Sequence, residues 1–265
     1  MNLNKLPKIS IITVSFNQGQ FIEDNIKSVI NQNYPNIEHI IIDAGSTDGT
    51  LDILKKYDKH LNWASEADNG QSDGLNKGFK KATGEIIGWF NSDDRVAPGA
   101  LHKVSRFFEE NSEEFALVGD QIIIDEKGDF LKIIKSRSYS FDYLLNHAKG
   151  ITQNSTFFKR EIFEKTGYLN EGIHYAMDRD LFIRIARVKS IAYLEESLGE
   201  FRLQKDAKTA QGSYYFAKDL IKIRNKYGGH FLSPGNRDSY YLIITEPLRR
   251  IGWLRKIIQQ LKGEN

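Results

Sequence analysis

The chain contains no cysteine among its 265 residues, and this absence excludes several kinds of chemistry. It can form no disulfide, use no thiolate nucleophile and bind no zinc through sulfur. No apolar run approaches the roughly eighteen residues that a membrane-spanning helix needs. The opening residues also lack the apolar stretch of a signal peptide, so we expect a cytoplasmic protein.

The sequence also lacks a large net charge and a glycine-rich phosphate-binding loop. The net charge is only +2 at pH 7, which gives no broad basic field of the kind that attracts nucleic acid. The segment 15–20, which follows the first predicted strand, holds a single glycine where a dinucleotide-binding fold would place Gly-x-Gly-x-x-Gly. It also contains no lysine or arginine, and no Walker loop is present, which disfavours a nucleotidyltransferase.

Apolar strands alternate with helical patterns along the first hundred residues. Buried strands are predicted at Lys8–Val14, Ile37–Ile42 and Glu85–Phe90, and a shorter one at Leu61–Ser65. This alternation favours a parallel sheet with right-handed crossovers. After a helix from Pro98, the runs Leu117–Asp125 and Phe130–Lys135 flank a turn and predict a hairpin, so the α/β sheet is expected to be mixed.

The later part of the chain adds shorter elements. Strands are predicted at Gln153–Phe158 and Ile191–Leu194, with helices at Arg160–Thr166 and from about Asp178. Residues 203–213 are polar and predict a mobile loop. From Tyr214 onward the sequence is helical in two or three pieces.

Polar loops follow each of the first four predicted strands, at 15–19, 43–49, 67–73 and 91–94. Because these strands are expected to be parallel, all four loops lie at one edge of the sheet, where open α/β sheets bind ligands. Carboxylates in these loops can bond ribose hydroxyls or hold a metal that bridges a diphosphate. Asp93 and Asp94 can equally cap the helix that Pro98 opens.

The order and spacing of several motifs resemble family 2 glycosyltransferases over roughly residues 8 to 205. The motifs are Val14–Asn17, Ile42–Thr50, Asp73–Gly78, Asn91–Asp94, Gln153–Phe158 and Met177–Leu181. The resemblance implies a GT-A fold, related to the Rossmann fold. It also implies a nucleotide-diphosphate sugar donor, UDP-linked, a divalent cation, Mn²⁺ or Mg²⁺, and transfer with inversion to a glycan or lipid-linked acceptor. Polysaccharide biosynthesis is the setting that the family suggests.

By position in these motifs, the resemblance assigns donor-binding roles to Ser15, Phe16, Asn17, Asp43, Asp68, Asp73, Asn76 and Asp93. Phe16 would stack on the base, and Asp43 would bond the base or its ribose. Asp93 matches the second aspartate of the family's Asp-x-Asp motif and would bind the metal. Asn91 replaces the first aspartate, and Asp94 is expected to compensate as a second metal ligand.

In the acceptor half, the resemblance makes Asp178 the general base and gives acceptor contacts to Gln153 and His174. From the residues alone, Asp178 can also cap its helix. Met177 stands where the family has a glutamate. Gln204 stands where many members have a histidine, so no third metal ligand is assigned there.

The expected organisation is a catalytic domain over 1–212, divided into a nucleotide-sugar half (about 1–97) and an acceptor half (about 98–212). A helical C-terminal extension covers 213–265. Within 247–265, Leu248, Ile251, Leu254, Ile257, Ile258 and Leu261 recur at helical spacing among basic residues. This pattern suits a membrane surface, packing against the catalytic domain or packing against a partner's helix. The alternative functions are a non-catalytic nucleotide-sugar-binding or scaffold subunit of a glycan assembly complex, and a nucleotidyltransferase.

Overall fold

The computed structural model describes residues 6–147, 150–204 and 213–249, with side chains described to residue 245. The strands are β1 Ile9–Ser15, β2 Ile37–Asp43, β3 Asn62–Ser65, β4 Ile86–Asn91, β5 Arg95–Val96, β6 Ala116–Ile124, β7 Phe130–Ile134, β8 Thr156–Lys159 and β9 Ala192–Arg202. The α-helices are α1 Ile22–Ile30, α2 Thr50–Lys56, α3 Gln71–Lys81, α4 Ala100–Glu110, α5 Phe141–Asn146, α6 Ile162–Thr166, α7 Met177–Val188, α8 Ser213–Tyr227 and α9 Pro234–Arg249. Short 3₁₀ turns lie at Asp58–His60 and Gln153–Ser155.

The strands form one mixed sheet in the order β3-β2-β1-β4-β8-β6-β9-β5, with β7 paired to β6. β1 to β4 pair in parallel, whereas β8 is antiparallel to both of its neighbours, β4 and β6. The predicted mixed α/β sheet and its β6–β7 hairpin are therefore confirmed.

Two element boundaries differ from the predictions. Gln153–Ser155 forms a 3₁₀ turn, so the strand begins only at Thr156. β9 runs on to Arg202 instead of ending at Leu194, because its polar second half pairs with both β6 and β5 through an irregular register. That half, Glu195–Arg202, contains three glutamates and only two large apolar residues, Leu198 and Phe201, so it carries no apolar run that would predict a strand.

An aromatic cluster joins the central strand β4 to the later helices. Trp89 and Phe90 are 2% and 0% exposed, which confirms that they belong to the core. The Trp89 ring stacks on Phe182 of α7 at 6.0 Å and lies 5.4 Å from Phe79 of α3. Strand β4 leads into residues 91–94, which are called the acidic loop below. This strand is therefore packed directly against α7, the helix that carries Asp178.

Within the described ranges, no helix is both long and apolar enough to cross a bilayer. The loop predicted at 203–213 lies mostly outside the described residues, as does most of the amphipathic segment predicted at 247–265.

A chain of buried polar side chains lies beneath the acidic loop. The amide of Asn25 is 0% exposed and donates to the carbonyls of Asn91, at 3.2 Å, and Asp94, at 2.8 Å. The Thr13 hydroxyl donates to Asn25 Oδ1 at 3.2 Å and lies 2.9 Å from His39 Nε2. Because that hydroxyl has one proton, His39 must donate through Nε2. Its buried Nδ1 has no partner among the described residues.

The imidazole of His39 is expected to make stability depend on pH. Burial lowers the pKa of His39 from 6.5 to about 3, so the folded protein keeps this ring neutral. The unfolded chain takes up the proton below pH 6.5, and the free energy of unfolding should therefore fall as the pH falls from 6.5 towards 3. At pH 5 the loss from this group is about 2 kcal/mol.

Urea unfolding of the wild type and of His39→Gln at several pH values measures this effect. Glutamine retains a donor for Thr13 but does not titrate. The free energy of unfolding of His39→Gln should therefore change less with pH, between pH 3 and 6.5, than that of the wild type. His60→Gln, at an exposed histidine, is the matched control and should keep the wild-type slope. An unchanged slope in His39→Gln would contradict the prediction.

Candidate active site

The ends of β1, β2 and β4 meet at one edge of the sheet. Ser15 aligns with Asp43, and Val14 aligns with Asn91. The loops that follow are bonded to one another: the Asn17 amide donates to Ser46 Oγ at 2.7 Å, and the Thr47 amide donates to Asn17 Oδ1 at 2.9 Å. The prediction that these polar loops share one edge is confirmed.

At the end of β2, Asp43 organises its own loop. Its carboxylate is 0% exposed and accepts hydrogen bonds from the amides of Gly45 and Ser46 and from the hydroxyls of Ser46 and Ser65, at 2.5–3.0 Å. A direct bond to a base or ribose would have to replace one of these. The edge of the sheet where these loops meet is called the cleft below. The neighbouring Phe16 is 59% exposed, so its ring is accessible to solvent at this edge. Ser15 is buried, and its hydroxyl has no partner among the described residues.

Asp68 and Asp73 lie around the start of α3. Asp68 accepts a hydrogen bond from the Gly70 amide at 2.9 Å, and Asp73 accepts one from the Asn69 amide at 3.0 Å. The Asn69 bond, together with Lys77 at 3.3 Å, lowers the pKa of Asp73 although partial burial opposes the shift. Both carboxylates therefore stabilise the turn into α3.

Asn76 lies in the interior and not in the cleft where the resemblance placed it. The side chain is 4% exposed and bonds to both the carbonyl and the amide of Leu169, with a further bond to Glu171 Oε1 at 2.9 Å. Its amide thus joins α3 to the segment before α7. One turn of helix separates it from Ser72, which also contacts the later half of the chain.

The two aspartates after β4 have different environments. Asp93 is partly exposed and its Oδ2 accepts a hydrogen bond from Gln204 Nε2. Burial raises the pKa of Asp93, and the Gln204 bond only partly offsets this. Asp94 is 1% exposed and accepts from the Arg202 amide at 3.3 Å. Burial, together with the nearby Asp93, holds the pKa of Asp94 well above its usual range. The carboxylate of Asp94 is therefore enclosed by protein, whereas that of Asp93 is partly exposed.

Arg202 is a residue whose importance the sequence reasoning missed. Its guanidinium is 1% exposed and donates to the Asp93 carbonyl at 3.0 Å, the Glu126 carbonyl at 2.8 Å and the Asp24 carboxylate at 2.9 Å. It also lies over the Phe21 ring, 5.0 Å from the centroid. This one side chain fixes the acidic loop from below. Its neighbour Gln204 reaches the carboxylate of Asp93 from the same strand end.

The first turn of α3 connects the acidic loop to α7. Gln71 Nε2 donates to Asn91 Oδ1 at 2.8 Å, and the Ser72 hydroxyl contacts Met177 Sδ at 2.9 Å. Asp178 follows Met177 in the first turn of α7 and is partly exposed. Its Oδ1 accepts from the Arg179 amide at 2.7 Å. The first turn of α3 thus contacts both the strand end that precedes Asp93 and the first residue of the helix that carries Asp178.

The two predicted acceptor residues lie on different segments. Gln153 Nε2 donates to the Trp89 carbonyl at 2.5 Å, so this amide supports β4 from beside the cleft. His174 is exposed in the loop that precedes α7.

α8 holds the start of α7 in place. Asp180 is 0% exposed and accepts from the Tyr227 hydroxyl at 2.9 Å while pairing with Arg184 at 2.8 Å. The Tyr175 amide donates to Asp219 Oδ2 at 3.1 Å. Tyr175 precedes Asp178 and Asp180 follows it, and both are bonded to α8. Helix α8 therefore takes part in positioning Asp178.

A protein-only metal cage is not found in the described residues, where no three His, Asp or Glu side chains form a suitable group. Mg²⁺ is commonly held by one or two carboxylates together with substrate phosphates. Asp93, a largely desolvated carboxylate at the cleft, fits that arrangement as a single protein ligand.

Comparison with solved structures identifies the fold. The chain superposes with a TM-score of 0.65 on "Crystal structure of S. aureus TarS 1-349 in complex with UDP-GlcNAc", at 19% identity, covering 92% of this chain and 72% of that one. It superposes with a TM-score of 0.62 on "Mannosyltransferase PcManGT from Pyrobaculum calidifontis in complex with GDP-Man and Mn2+", at 18% identity, covering 93% and 70%. The fold is that of GT-A glycosyltransferases.

Curated relatives are glycosyltransferases as well. The chain is 28% identical to "Putative teichuronic acid biosynthesis glycosyltransferase TuaG" of Bacillus subtilis, over 83% of this chain and 91% of the relative. It is 24% identical to "GalNAc(5)-diNAcBac-PP-undecaprenol beta-1,3-glucosyltransferase" of Campylobacter jejuni, over 78% and 69%. It spans only 35% and 32% of the length of uncharacterized glycosyltransferases from Rickettsia felis and Rickettsia bellii, to which it is 28% identical over 76% and 82% of this chain.

A match to a family model covers most of the strands of the sheet and identifies the family. Residues 10–167 match the model of "Glycosyl transferase family 2", a range that includes the four polar loops and ends before α7. These residues are more than half of the chain. The protein therefore belongs to glycosyl transferase family 2.

Proposed function

We propose that this protein transfers a sugar, with inversion, from a UDP-linked donor to a hydroxyl of a glycan or lipid-linked acceptor. The observation that carries the proposal is the contact between α3 and both halves of the cleft. Gln71 bonds the strand end that bears the acidic loop, and Ser72 contacts the first residue of α7. A donor diphosphate near Asp93 and an acceptor hydroxyl near Asp178 would then lie on opposite sides of one sugar.

On the donor side, the exposed ring of Phe16 would stack on the nucleobase. The loops held by Asp43 and Asp68 would line the ribose and sugar. The resident cation, Mn²⁺ or Mg²⁺, would be held by Asp93 and would supply stabilisation of the charge that develops on the leaving diphosphate. Arg202, which donates to the Asp93 carbonyl and to the Asp94 carboxylate, would position Asp93.

On the acceptor side, Asp178 would act as general base. Its carboxylate would take the proton of the acceptor hydroxyl while that oxygen forms a bond to C1 of the sugar. The bond from C1 to the diphosphate oxygen breaks in the same step, on the opposite face of the ring, and this gives inversion. His174 and Gln153 would contact the acceptor.

Relatives support the biological class of the acceptor. The Campylobacter relative is named for transfer to a glycan on undecaprenyl diphosphate, and the Bacillus relative for teichuronic acid biosynthesis. We therefore propose that this protein takes part in bacterial surface polysaccharide assembly. A thermal-shift screen of nucleotide sugars with Mn²⁺ tests the donor class, because a ligand that binds only the folded state raises the melting temperature.

Asp178→Asn is expected to lower kcat by about 10²–10⁴-fold and to leave the affinity for UDP unchanged, because only proton removal is lost. Transfer assays with matched donor and acceptor, alongside UDP titration, measure both quantities. Asp142→Asn makes the same change in the first turn of α5 and is the control for effects on helix ends. Full transfer activity in Asp178→Asn would show that the base is another group.

Asp93→Asn is expected to weaken UDP binding in the presence of Mn²⁺ by about ten-fold or more, because the charged metal ligand is lost. Isothermal titration with and without Mn²⁺ measures the effect, and Asp129→Asn, in the exposed β6–β7 turn, is the control. The metal role of Asp93 is wrong if the wild type binds UDP equally well with and without the cation.

A further inference from the structure

Helix α9 buries several of its polar residues and exposes an apolar one. Ser239 is 2% exposed, and its hydroxyl, with the Gly235 carbonyl, accepts hydrogen bonds from Arg224 of α8 at 2.9 and 2.6 Å. Ile244 is 63% exposed. A helix on the surface of a soluble domain normally has the reverse orientation, with its apolar side towards the core.

The connection between α8 and α9 extends the apolar side. Phe231 and Leu232 are 66% and 73% exposed. The Phe231 ring lies 5.3 Å from the ring of Tyr240, and Tyr240 and Ile244 are neighbours on one helix face because they are four residues apart. Phe231, Leu232, Tyr240 and Ile244 together are called the C-terminal patch below.

Positive charge is concentrated in the same part of the chain. Residues 213–265 contain ten basic and four acidic side chains, whereas residues 1–212 contain 27 basic and 31 acidic ones. The net charge of +2 therefore conceals a basic C-terminal segment on a slightly acidic domain.

The sequence beyond the described side chains continues both features. Leu248 and Ile251 follow Ile244 at intervals of four and three residues, which is the spacing of one helix face. Four basic residues lie between positions 249 and 256: Arg249, Arg250, Arg255 and Lys256. Apolar residues flanked by lysine and arginine are the composition that binds anionic lipid surfaces. A second copy of this chain would instead bring two basic segments together, which like charges oppose.

We propose that the C-terminal patch docks this protein on an anionic lipid bilayer. Phe231, Leu232 and Ile244 would enter the interface between headgroups and acyl chains, and the positive charge of residues 213–265 would strengthen the attraction to the headgroups. Helix α8, which precedes the patch, contacts α7 through Tyr227 and the segment before α7 through Asp219, so docking would fix the orientation of the cleft relative to the bilayer.

Co-sedimentation with vesicles tests the docking without any sugar transfer, so its failure is distinct from failure of the proposed function. The full chain is expected to bind vesicles of equal parts phosphatidylglycerol and phosphatidylcholine, to ignore vesicles of phosphatidylcholine alone, and to dissociate at high salt. The double variant Phe231→Ser/Leu232→Ser is expected to bind the anionic vesicles about ten-fold more weakly, because two apolar side chains no longer insert.

Phe130→Ser/Leu131→Ser is the matched control, because these residues of β7 are a second exposed Phe-Leu pair, 63% and 49% exposed. It should bind vesicles like the wild type, and both double variants should keep the wild-type melting temperature. The proposal is overturned if the chain does not bind anionic vesicles, or if both pairs weaken binding equally. It is also overturned if light scattering shows a dimer that only Phe231→Ser/Leu232→Ser dissociates, or if deletion of residues 250–265 strengthens vesicle binding.

Discussion

The guanidinium of Arg202 is the contact on which the geometry of the cleft depends. It is almost fully buried and joins three segments that are far apart in the sequence: the acidic loop at Asp93, the hairpin turn at Glu126 and helix α1 at Asp24. Burying a cation is unfavourable unless its donors are all satisfied, and here two carbonyls and a carboxylate accept from it. The position of Asp93 therefore follows from the packing of β9 and α1, and not from the loop alone.

The acidic loop combines rigid support with an electrostatic penalty. Asn25 holds its two ends through the carbonyls of Asn91 and Asp94, and Asp94 itself is enclosed by protein. Burial raises the pKa of both aspartates, which means that their surroundings disfavour the charged forms. A bound cation would relieve that penalty at Asp93, since opposite charge favours the ionised carboxylate. The same desolvation that is unfavourable in the free protein would strengthen its attraction for a cation.

The C-terminal helices belong to the site as much as to the surface. On one side, Tyr227 and Asp219 hold Asp180 and Tyr175, which flank Asp178. On the other, Phe231 and Ile244 face solvent. The match to the family model covers residues 10–167, whereas the proposed base and the proposed lipid contact lie on later residues.

The sequence by itself determined the sheet and its active edge. The almost continuous apolar runs within Lys8–Val14 and Glu85–Phe90 favour buried strands. Parallel connection then places the polar residues after each strand at one edge. The motifs around Asp93 and Asp178 could be found in the sequence because they are defined by the order and spacing of neighbouring residues.

Only the tertiary structure decided which polar side chains face the cleft and which support it. Asn76 and Asp94 look like site residues in the sequence, yet both are buried and bonded to protein. Arg202 looks like an ordinary strand residue, yet its partners Asp93 and Asp24 lie 109 and 178 positions away. A polar side chain satisfies its hydrogen bonds with whatever the fold brings near it, and those partners are set by the packing of distant segments.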